Sequence, residues 1–174
     1  MRTMKTCNPP QISNEKLLDI NNNIGLYVFN REYKGDNYII VKDGSTNIDT
    51  AFNYLDEQYG DIINKLVGSV LILGLGIGRG VVEACGKSDV KKIMVIEKDI
   101  RVINLFWELH GTGFEGVKKL SIIEGDAISH KSKDYDSVFI DIHQPPINKK
   151  TYRKNMTLLK SRFINTTVHY IDLY

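Results

Sequence analysis

The amino-acid sequence predicts an α/β protein. A doubly wound, mostly parallel sheet of order 3-2-1-4-5 follows a small N-terminal β-hairpin and helix. Three observations carry this. From Ser69 onward, short continuously apolar runs alternate with helix-period segments, and strands apolar on both sides are covered on both faces. The first run, "SVLIL", opens directly into four glycines on alternate positions, Gly74, Gly76, Gly78 and Gly80. The second, "KKIMVIE", ends on an acid, Glu97. Right-handed crossovers between such strands give the stated order.

Taken in order, residues 1–24 are polar and Asn-rich with Pro9-Pro10, and are expected to form an irregular arm. Residues 25–66 are expected to form a small unit. "GLYVFNREYKGDNYIIVKDG" reads as two strands turning at "YKGD". "STNIDTAFNYLDEQYGDIINKL" reads as a helix or helix pair capped by Asn47 or Thr46, with Ile48, Ala51, Phe52 and Leu55 at helical spacing and Gly60 as a break or bend. Residues 67–174 carry the large sheet. "SVLILGLG" is a strand and "GRGVVEACGKS" a helix starting on the glycines. "KKIMVIEKD" is a strand, and "DIRVINLFWELHG" a helix capped by Asp99 and stopped by Gly111. "LSIIEGDA" and "YDSVFIDIH" are strands, the first with little room for a helix after it. "NKKTYRKNMTLLKS" is a helix, and "RFINTTVHYI" a final edge strand over Arg162–Ile171.

Composition narrows the function classes. The chain has 174 residues, 42% hydrophobic and 25% charged, with a net charge of +2. That charge is too mild to imply nucleic acid. No apolar run approaches the length of a membrane span, and the first residues lack the apolar centre of a signal peptide. Cys7 and Cys85 show no metal or redox spacing and fit a reducing compartment, so a cytoplasmic location is expected. His110, His130, His143 and His169 show no metal spacing either, so no metal is expected. Trp107 reads as core, and pairs such as Lys118-Lys119 and Lys149-Lys150 as solvated charge.

The glycine loop points to a nucleoside. Ligands of open parallel sheets bind beyond the carboxyl ends of the strands, where the strand order reverses. Glycine there permits positive φ and removes the Cβ that would hold a ligand away. The following helix offers unpaired amides to an anionic group. Glu97, about twenty residues on, is placed to accept both hydroxyls of a ribose. The dinucleotide spacing G-x-G-x-x-G/A fails: counted from Gly74 its last position is Arg79, and from Gly76 it is Val81.

The spacing G-x-G-x-G of Gly74–Gly78 instead resembles motif I of class I S-adenosylmethionine (SAM)-dependent methyltransferases. That resemblance implies a Rossmann-like SAM-binding domain. It puts Gly74, Leu75, Gly76 and Gly78 on the ligand, Glu97 and Lys98 at the ribose, and Asp126 and Ala127 of "EGDA" near the adenine. Asp141, in "YDSVFIDIH", falls at the reacting centre. Within the class, the order of motifs is most similar to the spermidine synthase and aminopropyltransferase-like branch: "VKDG" (Val41–Gly44), "DTAFNYLDE" (Asp49–Glu57), the glycine loop, Glu97–Asp99, Gly125–Asp126 and "YDSVFIDIHQP" (Tyr135–Pro145). The branch implies substrate contacts at Tyr54, Gln144 and Tyr152. Taken on their own, among nine tyrosines, both read first as packing or surface residues.

Three departures qualify the resemblance. Ile77 stands where the branch has an Asp in the loop. Gln144 replaces the second acid that holds a diamine, and an amide is a poor partner for a second ammonium. The chain stops at Tyr174 after about five strands, where the branch has antiparallel end strands and a lid.

Asp141 is the expected base or amine-binding group, with His143 as a second candidate. "QPPI" (Gln144–Ile147) lacks the acid or Asn and the stacking aromatic of the "(D/N)PPY" motif for flipped bases. Three functions follow as expectations. The first is methyl transfer from SAM to a small acceptor such as an amine. The second is aminopropyl transfer from decarboxylated SAM, and the third is SAM or nucleoside binding without turnover. A homo-oligomer is expected from the long edge strand at the end of the sheet, and neither nucleic acid nor membrane is expected as a partner.

Overall fold

The computed structural model describes residues 13–33, 36–44, 46–50, 53–131, 134–142, 148–163 and 165–170. A three-stranded antiparallel sheet comes first, then a five-stranded one. The smaller sheet pairs β1 (Tyr27–Tyr33), β2 (Asp36–Asp43) and β3 (Thr46–Thr50) in that order. The larger contains β4 (Gly68–Leu73), β5 (Val90–Glu97), β6 (Leu120–Glu124), β7 (Ser137–Ile140) and β8 (Thr167–Tyr170) in the order β6-β5-β4-β7-β8. All four of its pairings are parallel. Numbered within this sheet, that is 3-2-1-4-5, the order expected.

Two apolar layers sandwich the central strand. Val70 and Ile72 of β4 face one core with Ile63 of α2 (Asn53–Lys65), Leu66 just after it, Val81 and Ala84 of α3 (Arg79–Cys85), and Phe106 of α4 (Ile100–His110). Leu71 and Leu73 face the opposite core, which α5 (Lys149–Arg162) covers with Tyr152, Met156 and Leu159. Among the described residues no helix lies between β6 and β7, and Ile123 of β6, in register with Ile96, is 47% exposed.

Lysines close two of the helices. Lys87 Nζ donates to the carbonyls of Ile63 and Asn64 at 2.9 and 2.6 Å at the end of α2. Lys119 Nζ donates to those of Cys85 and Lys87 at 3.1 and 2.8 Å after α3. Cations there meet the negative end of the helix dipole and its unpaired carbonyls.

Four expectations are corrected. The segment 1–24 is not irregular throughout, because Asn14–Ile24 forms α1. Ser13 caps it by accepting from the Lys16 amide at 3.2 Å, and Gly25 ends it at φ 71°. Leu17 and Ile20 make its buried stripe, a helical period that the Asn-rich composition obscures. The Asn21 side chain donates to the Val28 carbonyl at 3.0 Å and accepts from its amide at 2.5 Å, joining α1 to β1. Second, Thr46 and Asn47 begin a strand, not a helix. Thr46, Ile48 and Thr50 put β-branched residues on alternate positions, and pairing with β2 outweighs the helical reading. Third, Gly60 lies inside α2 without breaking it. Fourth, the final strand is short: Arg162 ends α5 and only Thr167–Tyr170 is strand, with Ile171 outside the described residues. The "YKGD" turn also lies partly outside them, although β1 and β2 pair as expected.

Cys85 is a free, buried thiol, pushed up to about 11 mainly by burial, so it is unreactive at neutral pH. Among the described residues, no helix is long and apolar enough to cross a membrane.

Candidate functional site

The carboxyl ends of β4, β5 and β7 meet at one rim. Hydrogen bonds of 2.9 and 2.7 Å run from the Gly74 amide to the Ile96 carbonyl and from the Asp141 amide to the Leu73 carbonyl. Gly74 has φ 96°, and a Cβ there would overlap the Asp141 carbonyl. This glycine is therefore demanded by the contact between the first strand's loop and the end of β7. Gly76, at φ 53°, and Ile77 turn the chain back, closed by a 2.9 Å bond from the Gly78 amide to the Leu75 carbonyl. Gly78, at φ 78°, caps α3, and a Cβ on it would run into the Phe106 ring. Two of the alternating glycines thus serve close packing of the loop onto its own protein, a reason the spacing alone does not disclose.

Glu97 is the keystone of the loop. It closes β5 and is only 9% exposed. One carboxylate oxygen accepts from the Leu75 amide at 3.0 Å, the other from the Asp99 amide at 2.9 Å. The glycine loop and the turn into α4 are both held on this carboxylate. Each oxygen has a second lone pair, so two further donors fit the same group. Lys98 is exposed beside it.

The third strand contributes a turn. Gly125 donates to the Glu97 carbonyl at 2.9 Å. The Asp126 side chain, exposed, accepts from the Ile128 amide at 2.8 Å, and Ala127 is buried beneath. Arg162 of α5 donates to the carbonyls of Ile128 and His130, tying this turn to the second core.

Asp141 has a partner that the sequence reading missed. The Tyr59 hydroxyl of α2 donates to its Oδ2, and the Tyr59 ring stands edge-on to Phe139, at 5.6 Å between centroids. Tyr59 lies 82 positions away in the chain, and nothing local marks it among nine tyrosines.

A second link also comes from the N-terminal unit. Arg101 donates to Asp99 through Nε and Nη2, at 3.0 and 2.7 Å, and to Asp43 of β2 at 2.7 Å. The Arg101 hydrogen bonds are the main reason that the Asp99 carboxyl is held below its ordinary range. Asp43 belongs to the "VKDG" that the motif order singled out.

The substrate candidates divide. Tyr152 is 4% exposed and packs with Ile140 and Met156. Tyr54 lies on α2. Gln144 and the alternative base His143 fall outside the described residues. Among the described residues, no group of three His, Cys, Asp or Glu is placed to hold a metal.

No protein-family model matches the chain, and no curated protein matches it. Solved structures do. A spermidine synthase crystallised with the transition state analogue AdoDATO superposes with a TM-score of 0.51 at 16% identity, covering 78% of this chain and 52% of that one. The methyltransferase domain of a bacterial CtHen1 gives 0.51 at 14% identity, covering 67% and 65%. A dimethyladenosine transferase from Plasmodium falciparum gives 0.48 at 19%, covering 68% and 42%. The chain spans between about two fifths and two thirds of these proteins. What it shares with the spermidine synthase and the CtHen1 domain is the Rossmann-like fold of the class I methyltransferases, and a fold is not an activity.

Proposed function

We propose that this chain is a SAM-dependent transferase that moves a methyl group to a small acceptor such as an amine. The observation that carries the reading is Glu97. A nearly buried carboxylate ends the second strand of the sheet, fixed by two amides and within the same rim as the glycine loop. The residues present fit a nucleoside. Glu97 has lone pairs for two ribose hydroxyls, the loop backbone at Gly74, Leu75, Gly76 and Gly78 is bare, and Asp126 and Ala127 border the adenine side. Lys98 lies at the mouth.

Bound SAM supplies an electrophilic carbon on a sulfonium. The chain's own work is then to orient the acceptor and to take its proton. Asp141 is the group proposed for this, with Tyr59 holding one carboxylate oxygen and so fixing the direction of the other. Tyr54 and Gln144 are proposed around the acceptor, whereas Tyr152 is packed in the second core. Gln144 in place of a second acid favours an acceptor with one cationic centre.

Aminopropyl transfer from decarboxylated SAM is the second reading. The antiparallel sheet and α2 preceding the large sheet favour it, as does the 78% coverage of this chain by the spermidine synthase superposition. We propose a cytoplasmic homo-oligomer with neither nucleic acid nor membrane as partner.

The test is calorimetric titration with SAM, decarboxylated SAM, methylthioadenosine and NAD, followed by transfer from each labelled donor to a panel of small amines. SAM binding with methyl transfer supports the first reading, and preference for decarboxylated SAM with aminopropyl transfer the second. Tight donor binding with no transfer means a binding protein without turnover. Preference for NAD sinks all three.

A further inference from the structure

The floor beneath the glycine loop is the inner face of α4. Phe106 fills the space that a Gly78 side chain would occupy. One turn further on, the His110 ring rests against the Phe106 ring at 4.9 Å between centroids, and its Nε2 lies 2.7 Å from the Ile77 carbonyl. A carbonyl only accepts, so His110 Nε2 carries the hydrogen. The ring is half-buried, and Gly111, at φ 65°, ends the helix immediately after it with its amide on the Trp107 carbonyl at 2.8 Å. The imidazole is therefore gripped by its own helix end and by a ring, and it reaches a single loop atom.

That atom matters. Ile77 is the second residue of the turn Gly76–Ile77, whose closing bond runs from the Gly78 amide to the Leu75 carbonyl. The Ile77 carbonyl and the Gly78 amide belong to one peptide plane, so a donor on that carbonyl and the closing bond to Leu75 hold the plane from opposite edges. At its other end the same turn is held by Glu97 through the Leu75 amide. Glu97 from β5 and His110 from α4 thus both hold the turn.

We propose that His110 is a positioning residue for donor binding: by donating from Nε2 to the Ile77 carbonyl it fixes the Ile77–Gly78 peptide plane that closes the turn in the shape that receives the nucleoside. This rests on the donor site assigned to the loop.

The test uses His110→Phe and His110→Gln in the full chain. Phe keeps a ring against Phe106 and removes the donor. Gln places an amide nitrogen the same number of bonds from the backbone as Nε2. Two quantities are read: amide hydrogen exchange at Gly78 in the ligand-free protein, and SAM and decarboxylated SAM affinity by calorimetry. His110→Phe is expected to speed Gly78 exchange and weaken affinity, each about fivefold, the scale of one net hydrogen bond. His110→Gln should recover most of both, while the melting temperatures of the two variants stay close together. Unchanged Gly78 exchange in His110→Phe overturns the inference whatever the ligand does. Faster exchange with unaltered affinity overturns it too, as does a Gln variant no better than Phe. Failure of the wild type to bind either donor removes the donor site itself, a result the exchange measurement does not produce.

Discussion

Glycine at the loop's close contacts gives the clearest residue-scale test. Gly78 (φ 78°, ψ 12°) and Gly25 (φ 71°, ψ 22°) are both left-handed, but a Cβ at Gly78 meets the Phe106 ring whereas at Gly25 nothing lies within 4 Å. Gly25→Ala is expected to cost about 1 kcal/mol from backbone strain alone. Gly78→Ala adds overpacking and is expected to cost about 2–4 kcal/mol. Urea unfolding of the two variants checks this, and equal losses would mean that Phe106 gives way freely. Asp141 is tested by Asp141→Asn, which keeps the side chain's shape and removes its charge. Donor binding should be nearly intact and turnover should fall by roughly 10²–10⁴-fold, the range of a lost general base. Wild-type turnover in that variant would remove Asp141 from the mechanism. At this scale, what was legible depended on sequence distance. Glu97 was readable because its role follows from a strand end and a spacing. Tyr59 and His110 were not, because their partners lie 82 and 33 positions away.

Elements were legible where their periods were unmixed. Strands β4 to β7 read as apolar runs with a clear stop, and α4 carries both its cap and its terminating glycine: Asp99 accepts from the Arg101 amide at 2.9 Å. The N-terminal unit misled where local propensity and tertiary pairing disagree. Thr46–Thr50 becomes strand because β2 offers it an edge, and Asn14–Ile24 becomes helix because Leu17 and Ile20 find a core under an otherwise polar sequence. At the far edge, Thr167–Tyr170 is shorter than the strand anticipated, and Lys160 stands over the Tyr170 ring at 3.6 Å. Both β6 and β8 end the large sheet, and β6 shows Ile123 to solvent. Pairing between copies at such an edge is the expectation. Sedimentation equilibrium at micromolar protein should report a dimer or larger, and a monomer would contradict it.

For the whole molecule, histidine burial sets a direction for stability against pH. Burial is the leading cause that holds His110, His130 and His169 below the ordinary imidazole value. A depressed imidazole pKa means that the unfolded chain binds more protons between the folded value and about 6.5, so stability rises with pH across that window. The histidine contribution is complete above about 6.5 and is lost as pH falls through the lower folded values. The urea midpoint is expected to drop between pH 7.5 and 5.5, and to drop less in His110→Phe. A midpoint that is flat or rises on acidification would contradict this. The same molecule-wide view explains why the N-terminal unit belongs to the site. It reaches the rim twice, through Asp43 on Arg101 and through Tyr59 on Asp141. The sequence showed the two units in their order but not these contacts, which depend on how the units fold together.

The central claim is that the rim at Glu97 and the glycine loop is a SAM-type donor site. Its most direct test is calorimetric titration of SAM and decarboxylated SAM into the wild type and Glu97→Ala, with circular dichroism to confirm that the variant remains folded. Two charge-assisted hydrogen bonds of about 1.5 kcal/mol or more each are at stake. The wild type should bind one of the donors, and the folded variant should bind it at least about 100-fold more weakly. Equal affinity in the two proteins, or no binding of either donor by the wild type, would contradict the account.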